Sequence, residues 1–208
     1  MKCRRIESLN TGKPLREAEG DVDEAITAFR YCASEAIRGG EPGGVFTESL
    51  APRMDHSGDL QGHIMHEAIG TVVGICPFNY PLMMAAWKAA PAIAAGCPIV
   101  LKPSELTPLT TIALAQAVEE TGLLPPGVFQ VVCGDGSVGA TLSQSPHARK
   151  ISFTGSGPTG QRVMEDAAKG ARPVVLELGG KSPAIIMPGT DLDSAIEHLV
   201  FSTYWNAG

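Results

Sequence analysis

The sequence has no C-x-x-C pair and no cluster of cysteine and histidine at metal-ligand spacing. Its five cysteines, Cys3, Cys32, Cys76, Cys97 and Cys133, are scattered and odd in number, which argues against a disulfide framework and a zinc site. Reduced thiols in the cytoplasm are the simplest expectation. Long apolar runs are missing too. The most apolar stretch, residues 89–101, carries Pro91, Gly96 and Pro98 and stops at Lys102, too short to span a membrane. The basic start leads into Ile6-Glu7-Ser8 rather than an apolar core, so no secretory signal is read there. There is no dense Lys/Arg run and the net charge is −6, so neither nucleic acid nor an anionic membrane is the expected partner. Internal repeats and low-complexity tracts are absent as well.

What is present is the composition of a soluble globular chain. Its 208 residues, 44% apolar and 18% charged, suit one large or two small domains with a real core. Residues 17–36 read as an amphipathic helix, with Val22, Ala25, Ile26 and Phe29 at i, i+3, i+4 and i+7. Residues 39–62 are loop-like, rich in Gly, Pro, Asp and Ser. Residues 63–67 suggest an exposed strand. A regular alternation follows: strands at 71–76, 98–102, 128–132, 150–154, 174–177 and 184–187, and helices at 81–95, 109–121, 137–145, 158–169 and 195–204. This alternation predicts an α/β fold with a doubly wound parallel sheet. The alternation begins at residue 71, after the loop and the short exposed strand.

Ligands of such sheets bind beyond the carboxyl ends of the strands. Three strand ends here carry polar or glycine-rich signatures. In Cys76-Pro77-Phe78-Asn79-Tyr80-Pro81, Asn79 is either a helix N-cap or an amide donor to developing negative charge. In Lys102-Pro103-Ser104-Glu105, a lysine and a carboxylate form either a local ion pair, with Ser104 or Thr107 capping the next helix, or a grip on a ribose diol. In the third, FTGSGPTG, Gly155, Gly157 and Gly160 spell G-x-G-x-x-G between a strand and a helix, a phosphate-binding context. Glu177 follows 17 residues after Gly160, which by spacing alone makes it a ribose ligand. The double glycine after it fits a carboxylate that needs room near a ligand.

Together these stretches closely resemble the aldehyde dehydrogenase superfamily. The matching elements are PFNYP at 77–81, WKAAPAIAAGCPIVLKPSELTP at 87–108, FTGSGPTG at 153–160 and LELGGKSP at 176–183. The similarity starts near Glu7 and reaches Gly208, and the look is closest to betaine-aldehyde or aminoaldehyde dehydrogenases. The resemblance implies NAD(P)-dependent oxidation of an aldehyde to a carboxylic acid. Asn79 would stabilise the oxyanion formed when a thiolate attacks the aldehyde. Glu177 would be the general base that activates the thiol or the deacylating water. Cys76, Pro77, Phe78, Lys102, Pro103, Ser104, Glu105, Gly136, Gly139, Phe153, Thr154, Gly155, Ser156, Gly160 and Leu178 would bind the cofactor. Glu105 would favour NAD over NADP by repelling a 2′-phosphate. The family further implies a small-molecule aldehyde substrate, homo-oligomeric intact relatives, and a division into a partial N-terminal helix and loop (1–59), part of an oligomerisation hairpin (60–70, to which residues 62–67 correspond), a nucleotide-binding domain (71–180) and the start of a segment leading into a catalytic domain missing from this sequence (181–208).

Two departures stand out. Position 157, often Thr or Val in the family, is Gly here, so the literal fingerprint is read as a pyrophosphate turn with an accidental middle glycine. The family's nucleophilic cysteine lies in a segment resembling N-x-G-Q-x-C, whereas this sequence reads Asn206-Ala207-Gly208, and none of the five cysteines takes that place. Cys76 reads as a buried strand-end residue. The expectation is therefore a fragment of an aldehyde dehydrogenase. The alternatives are a catalytically inactive nucleotide-binding remnant, or a partner that works only by pairing with a full-length relative.

Overall fold

Short β-branched runs flanked by helices bury both of their faces, and strands of that kind assemble into a parallel sheet covered on each side. The computed structural model, which describes residues 2–38, 46–49 and 63–208, has this form. Helices α1 (Lys2–Thr11) and α2 (Leu15–Arg38) lead into a ribbon of β1 (Phe46–Ser49) and β2 (His63–His66), paired antiparallel. The alternating part runs β3 (Val72–Ile75), α3 (Pro81–Ala94), β4 (Ile99–Lys102), α4 (Leu109–Thr121), β5 (Phe129–Val131), α5 (Gly136–Gln144), β6 (Lys150–Gly155), α6 (Gly157–Ala168) and β7 (Val174–Leu178). Helix α7 (Leu192–Tyr204) and a 3-10 turn (Trp205–Ala207) follow.

The five strands are parallel neighbours in the order β5-β4-β3-β6-β7. After β3 the chain steps outward through β4 to β5, then returns across β3 to β6 and β7. The order thus reverses between β3 and β6, where Ile75 lies opposite Phe153. A crevice opens at the carboxyl ends of strands at such a point, and that is where ligands of these folds sit.

Side chains alternate across the sheet. Val72, Cys76, Ile99 and Leu101 pack against Ala85, Ala89 and Ala92 of α3. Val73, Ile75, Ile151 and Phe153 pack against Val163 and Ala167 of α6. Gly74, between these layers in β3, lets α3 come close. A Cβ there would stand 2.7 Å from Leu101 Cδ2 and 3.3 Å from Lys88 Cδ. Helix α2 lays Ala25 and its flanking Val22 and Phe29 against Leu82 and Ala86 of α3. Ile26, expected on that stripe, is left 41% exposed.

Three expectations need correction. Helix α1 was not expected, because KCRRIESLNT has no sustained apolar period. Its anchor is a charge: Glu7 is fully buried, accepts from Leu82 N at 3.3 Å and from Thr110 Oγ1 at 2.5 Å, and desolvation raises its carboxyl above the usual range. Residues 46–49, placed in a loop, form β1 because β2 supplies its ladder; the rest of that loop, 39–45 and 50–62, lies outside the described residues. Residues 184–187, expected as a strand, are irregular, with Ile185, Ile186 and Met187 exposed. No strand among the described residues pairs with this run, and an apolar run without a ladder forms no strand. No helix among the described residues is long and apolar enough to cross a membrane, and no group of His, Cys, Asp and Glu there could hold a metal ion.

Candidate functional site

The loops that leave β3, β6 and β7 meet over the crevice. They line a groove of about 690 Å³ with Pro77, Phe78, Asn79, Gly155, Glu177 and Leu178 among its walls. Thr154 and Ser156 line it as well. Asn79 is exposed there, and its side chain makes no hydrogen bond among the described residues. It does not cap α3: the N-cap is Tyr80, and no side chain caps that helix. Its amide is therefore free to face a ligand.

Lys88, on the α3 side of the groove, was not singled out from the sequence. It sits on the face of α3 that carries Ala85, Ala89 and Ala92, and a lysine among these buried alanines at i−3, i+1 and i+4 is the signal that could have found it. Its stem passes Gly74 and its ammonium donates to Thr154 Oγ1 at 2.8 Å and Ser152 Oγ at 3.1 Å. Burial lowers its pKa, opposed by the nearby Cys76 and Glu177. Its hydrogen-bond partners among the described residues are neutral hydroxyls, and it lines the same groove as Glu177.

At the end of β4, Lys102 is buried and donates to Glu105 Oε2 at 3.1 Å, while the Glu105 carboxylate is half exposed. Its own backbone N–H and Lys102 hold that carboxyl below the usual range. Neither Ser104 nor Thr107 caps α4, whose N-cap is Pro108. Ser104 Oγ accepts from Leu106 N within the turn. Thr107 Oγ1 donates to the Phe78 carbonyl at 3.1 Å and so ties this turn to the Asn79 turn. Pro103 is fully buried and stiffens the strand exit. Across β5, Asp135 caps α5 by accepting from Ser137 N, which starts that helix at Gly136; Gly139 faces Ile75 one turn on.

Helix α6 begins straight after β6, with Ser156 as N-cap and no side-chain cap, so its first turn offers free N–H groups to an anion. Gly160 permits the close approach of α6 to β7: a Cβ there would stand 2.5 Å from Leu178 Cδ2. A Cβ on Gly157 would meet nothing within 4 Å, and its φ is ordinary, so the middle glycine has no steric duty. Two residues expected at the cofactor point elsewhere. Phe153 and Cys76 bury their side chains in the two core layers, so only their backbones reach the strand ends. Burial pushes the Cys76 thiol up to about 12, against the pull of Lys88 and Lys102, which leaves it a core residue without thiolate character.

A profile of the aldehyde dehydrogenase family matches residues 1–208. The chain belongs to the aldehyde dehydrogenase family. It is 45% identical over 206 residues to a betaine aldehyde dehydrogenase of Oryza sativa, covering 98% of this chain and 39% of that protein. A peroxisomal aminoaldehyde dehydrogenase of Malus domestica is 43% identical over 205 residues, with the same coverage. Among solved structures, an NADP-dependent enzyme of Escherichia coli superposes with a TM-score of 0.90 at 38% identity, covering 100% of this chain and 41% of that one. A betaine aldehyde dehydrogenase of Staphylococcus aureus, in complex with NAD+, gives a TM-score of 0.88 at 39% identity over 98% of this chain and 39% of that one. The chain thus spans about two fifths of these proteins, and the parallel five-stranded sheet corresponds to the aldehyde dehydrogenase nucleotide-binding domain.

Proposed function

We propose that this chain is the cofactor-binding part of an NAD-dependent aldehyde dehydrogenase, with an aldehyde of the betaine or aminoaldehyde class as substrate. The observation that carries the reading is the shared groove. Asn79, the free amide, and Glu177, the carboxylate, line one cavity together with the turn that starts α6. A diphosphate fits that turn through the uncapped N–H groups of α6, and a ribose diol fits the Lys102–Glu105 pair. NAD bound there would supply the hydride acceptor. Asn79 would donate to an oxyanion at the mouth of the groove, where a preorganised amide stabilises developing charge. Glu177 would take a proton from thiol or water. Glu177 is redundant as a ribose ligand, because Glu105 already holds that place. Glu105 also favours NAD, since a 2′-phosphate would meet its carboxylate.

Assembly into a homo-oligomer through the β1–β2 ribbon belongs to this proposal. So does the cytoplasm, on the five unpaired thiols, although relatives carry peroxisomal and chloroplastic names. The test is a calorimetric NAD titration alongside a spectrophotometric assay with betaine aldehyde. In a protein completed with the family's cysteine segment, Glu177→Gln should keep NAD affinity and abolish oxidation; normal oxidation with weakened NAD binding would return Glu177 to the ribose. No heat with NAD would overturn the reading, and NAD binding without oxidation by a protein completed with the family's cysteine segment would favour the inactive remnant.

A further inference from the structure

The carbonyl of Asn79 accepts two hydrogen bonds, from opposite ends of the chain. Lys13 Nζ donates to it at 2.7 Å and Asn206 Nδ2 at 3.3 Å. Lys13 lies between α1 and α2 and is 3% exposed. Its ammonium also donates to the buried carboxylate of Asp21 and stands 4.2 Å from the centroid of the Tyr80 ring. Its backbone is locked as well: Ser8 Oγ donates to its carbonyl at 2.7 Å, and its N–H donates to Thr11 Oγ1 at 3.3 Å. At the other end, Asn206 holds a left-handed conformation, φ 61° and ψ 35°, and its Oδ1 is buried with no partner among the described residues. Left-handed backbone in residues other than glycine persists where surrounding contacts demand it.

A buried lysine–aspartate pair is an expensive way to fill this space. Apolar residues of similar volume would serve packing at least as well. What they could not do is hold the Asn79 peptide. We propose that Lys13, supported by Asp21 and opposed by Asn206, positions the Asn79 turn, so that the one groove amide free of structural bonds is presented at a fixed height over the crevice. Lys13 and Asn206 are positioning residues: neither lines the groove, and both act through the Asn79 backbone. The inference rests on the aldehyde-oxidising reading of Asn79, but its physical content, a turn clamped by two donors, is measurable without catalysis.

The experiment replaces both charges together, Lys13→Met with Asp21→Leu, so that no unpaired charge remains buried. Asn206→Gly, which keeps the left-handed backbone and leaves the buried pair intact, repeats the test from the other side. Each variant is compared with the unaltered chain by thermal melting, NAD calorimetry and hydrogen–deuterium exchange of the amides of Phe78, Asn79, Tyr80 and Leu82, and, in a protein completed with the family's cysteine segment, by oxidation of betaine aldehyde. Positioning predicts an unchanged melting temperature and NAD affinity, kcat lowered by about tenfold or more, and exchange at 78–82 faster by a similar factor, with β3 and β4 unaffected. Unchanged exchange at 78–82 in both variants overturns the proposal. So does an unchanged kcat in a protein that oxidises the aldehyde. If the unaltered chain binds no NAD, the functional reading fails by itself, and the exchange measurement alone decides whether Lys13 and Asn206 clamp the turn.

Discussion

Gly74→Ala tests the central contact of the fold. Gly74 sits mid-strand in β3, in register with Leu101 of β4 and Ser152 of β6, under helix α3. The added methyl would lie 2.7 Å from Leu101 Cδ2, 3.3 Å from Lys88 Cδ and 3.4 Å from Lys88 Cβ. Carbon atoms prefer about 3.5–4.0 Å, so Leu101 must move by roughly 1 Å. Leu101 is fully buried, and Lys88 is tethered to Ser152 and Thr154. Overpacking of this kind costs about 1–3 kcal/mol. Alanine recovers roughly 0.4–1 kcal/mol by stiffening the unfolded chain. The net expectation is a loss of about 1–2 kcal/mol, a fall in melting temperature of roughly 2–8 °C for a domain of this size. Urea unfolding should show a lower midpoint at an unchanged slope. Leu101→Val costs about 1 kcal/mol by itself. In the Gly74→Ala background it should cost clearly less, because it removes the atom that clashes, and a double-mutant cycle reads that coupling. A Gly74→Ala chain as stable as the original would refute the reasoning, and with it the claim that a missing side chain sets the height of α3.

Glu7→Gln should raise stability at neutral pH by on the order of 1 kcal/mol, because the amide keeps an acceptor for Leu82 N and a donor for Thr110 without a desolvated charge. The pH dependence has a definite sign: the folded pKa of Glu7 is raised, so its contribution is fully present below the unfolded value near 4.5 and is lost as pH rises through the folded value. Melting curves from pH 4 to 8 should therefore be flatter for the variant, and parallel curves would count against the buried carboxylate. Alkylation with iodoacetamide at pH 8 should modify exposed Cys133 first and spare Cys76 until the chain unfolds, as its thiol is pushed up to about 12; peptide mapping by mass spectrometry checks the order. Glu105→Gln should narrow the preference for NAD over NADP by several-fold in paired calorimetric titrations, and an unchanged ratio would remove Glu105 from cofactor selection.

The alternating sheet was legible because each strand and helix announces itself in contiguous residues: an apolar run, a glycine or proline stop, an apolar stripe. The strand-end motifs were legible for the same reason. PFNY, KPSE, FTGSG and LELGG are each a single turn, and the topology brings three of them into one groove. What stayed hidden depends on partners far away in sequence. Helix α1 is held by Glu7 through residues 75 and 103 positions on. Lys13 acquires its meaning 66 positions later, at Asn79. Lys88 looks like a surface lysine until Gly74 is known to let its stem pass. The 184–187 run failed in the opposite way: its composition suits a strand, but ladder partners are not a local property.

The long reach of Glu7 and Lys13 also bears on how the chain comes into being. At about 5–20 residues per second, synthesis takes several seconds or more to deliver Leu82 and Thr110 after Glu7. During that wait the N-terminal helices have no sheet to dock on. Apolar anchors in their place would seek other apolar surface, in the same chain or a neighbouring one. A carboxylate and an ammonium stay hydrated until the one pocket that satisfies them appears. The buried charges that add least to the finished stability are thus the ones suited to keeping a waiting segment out of premature contacts.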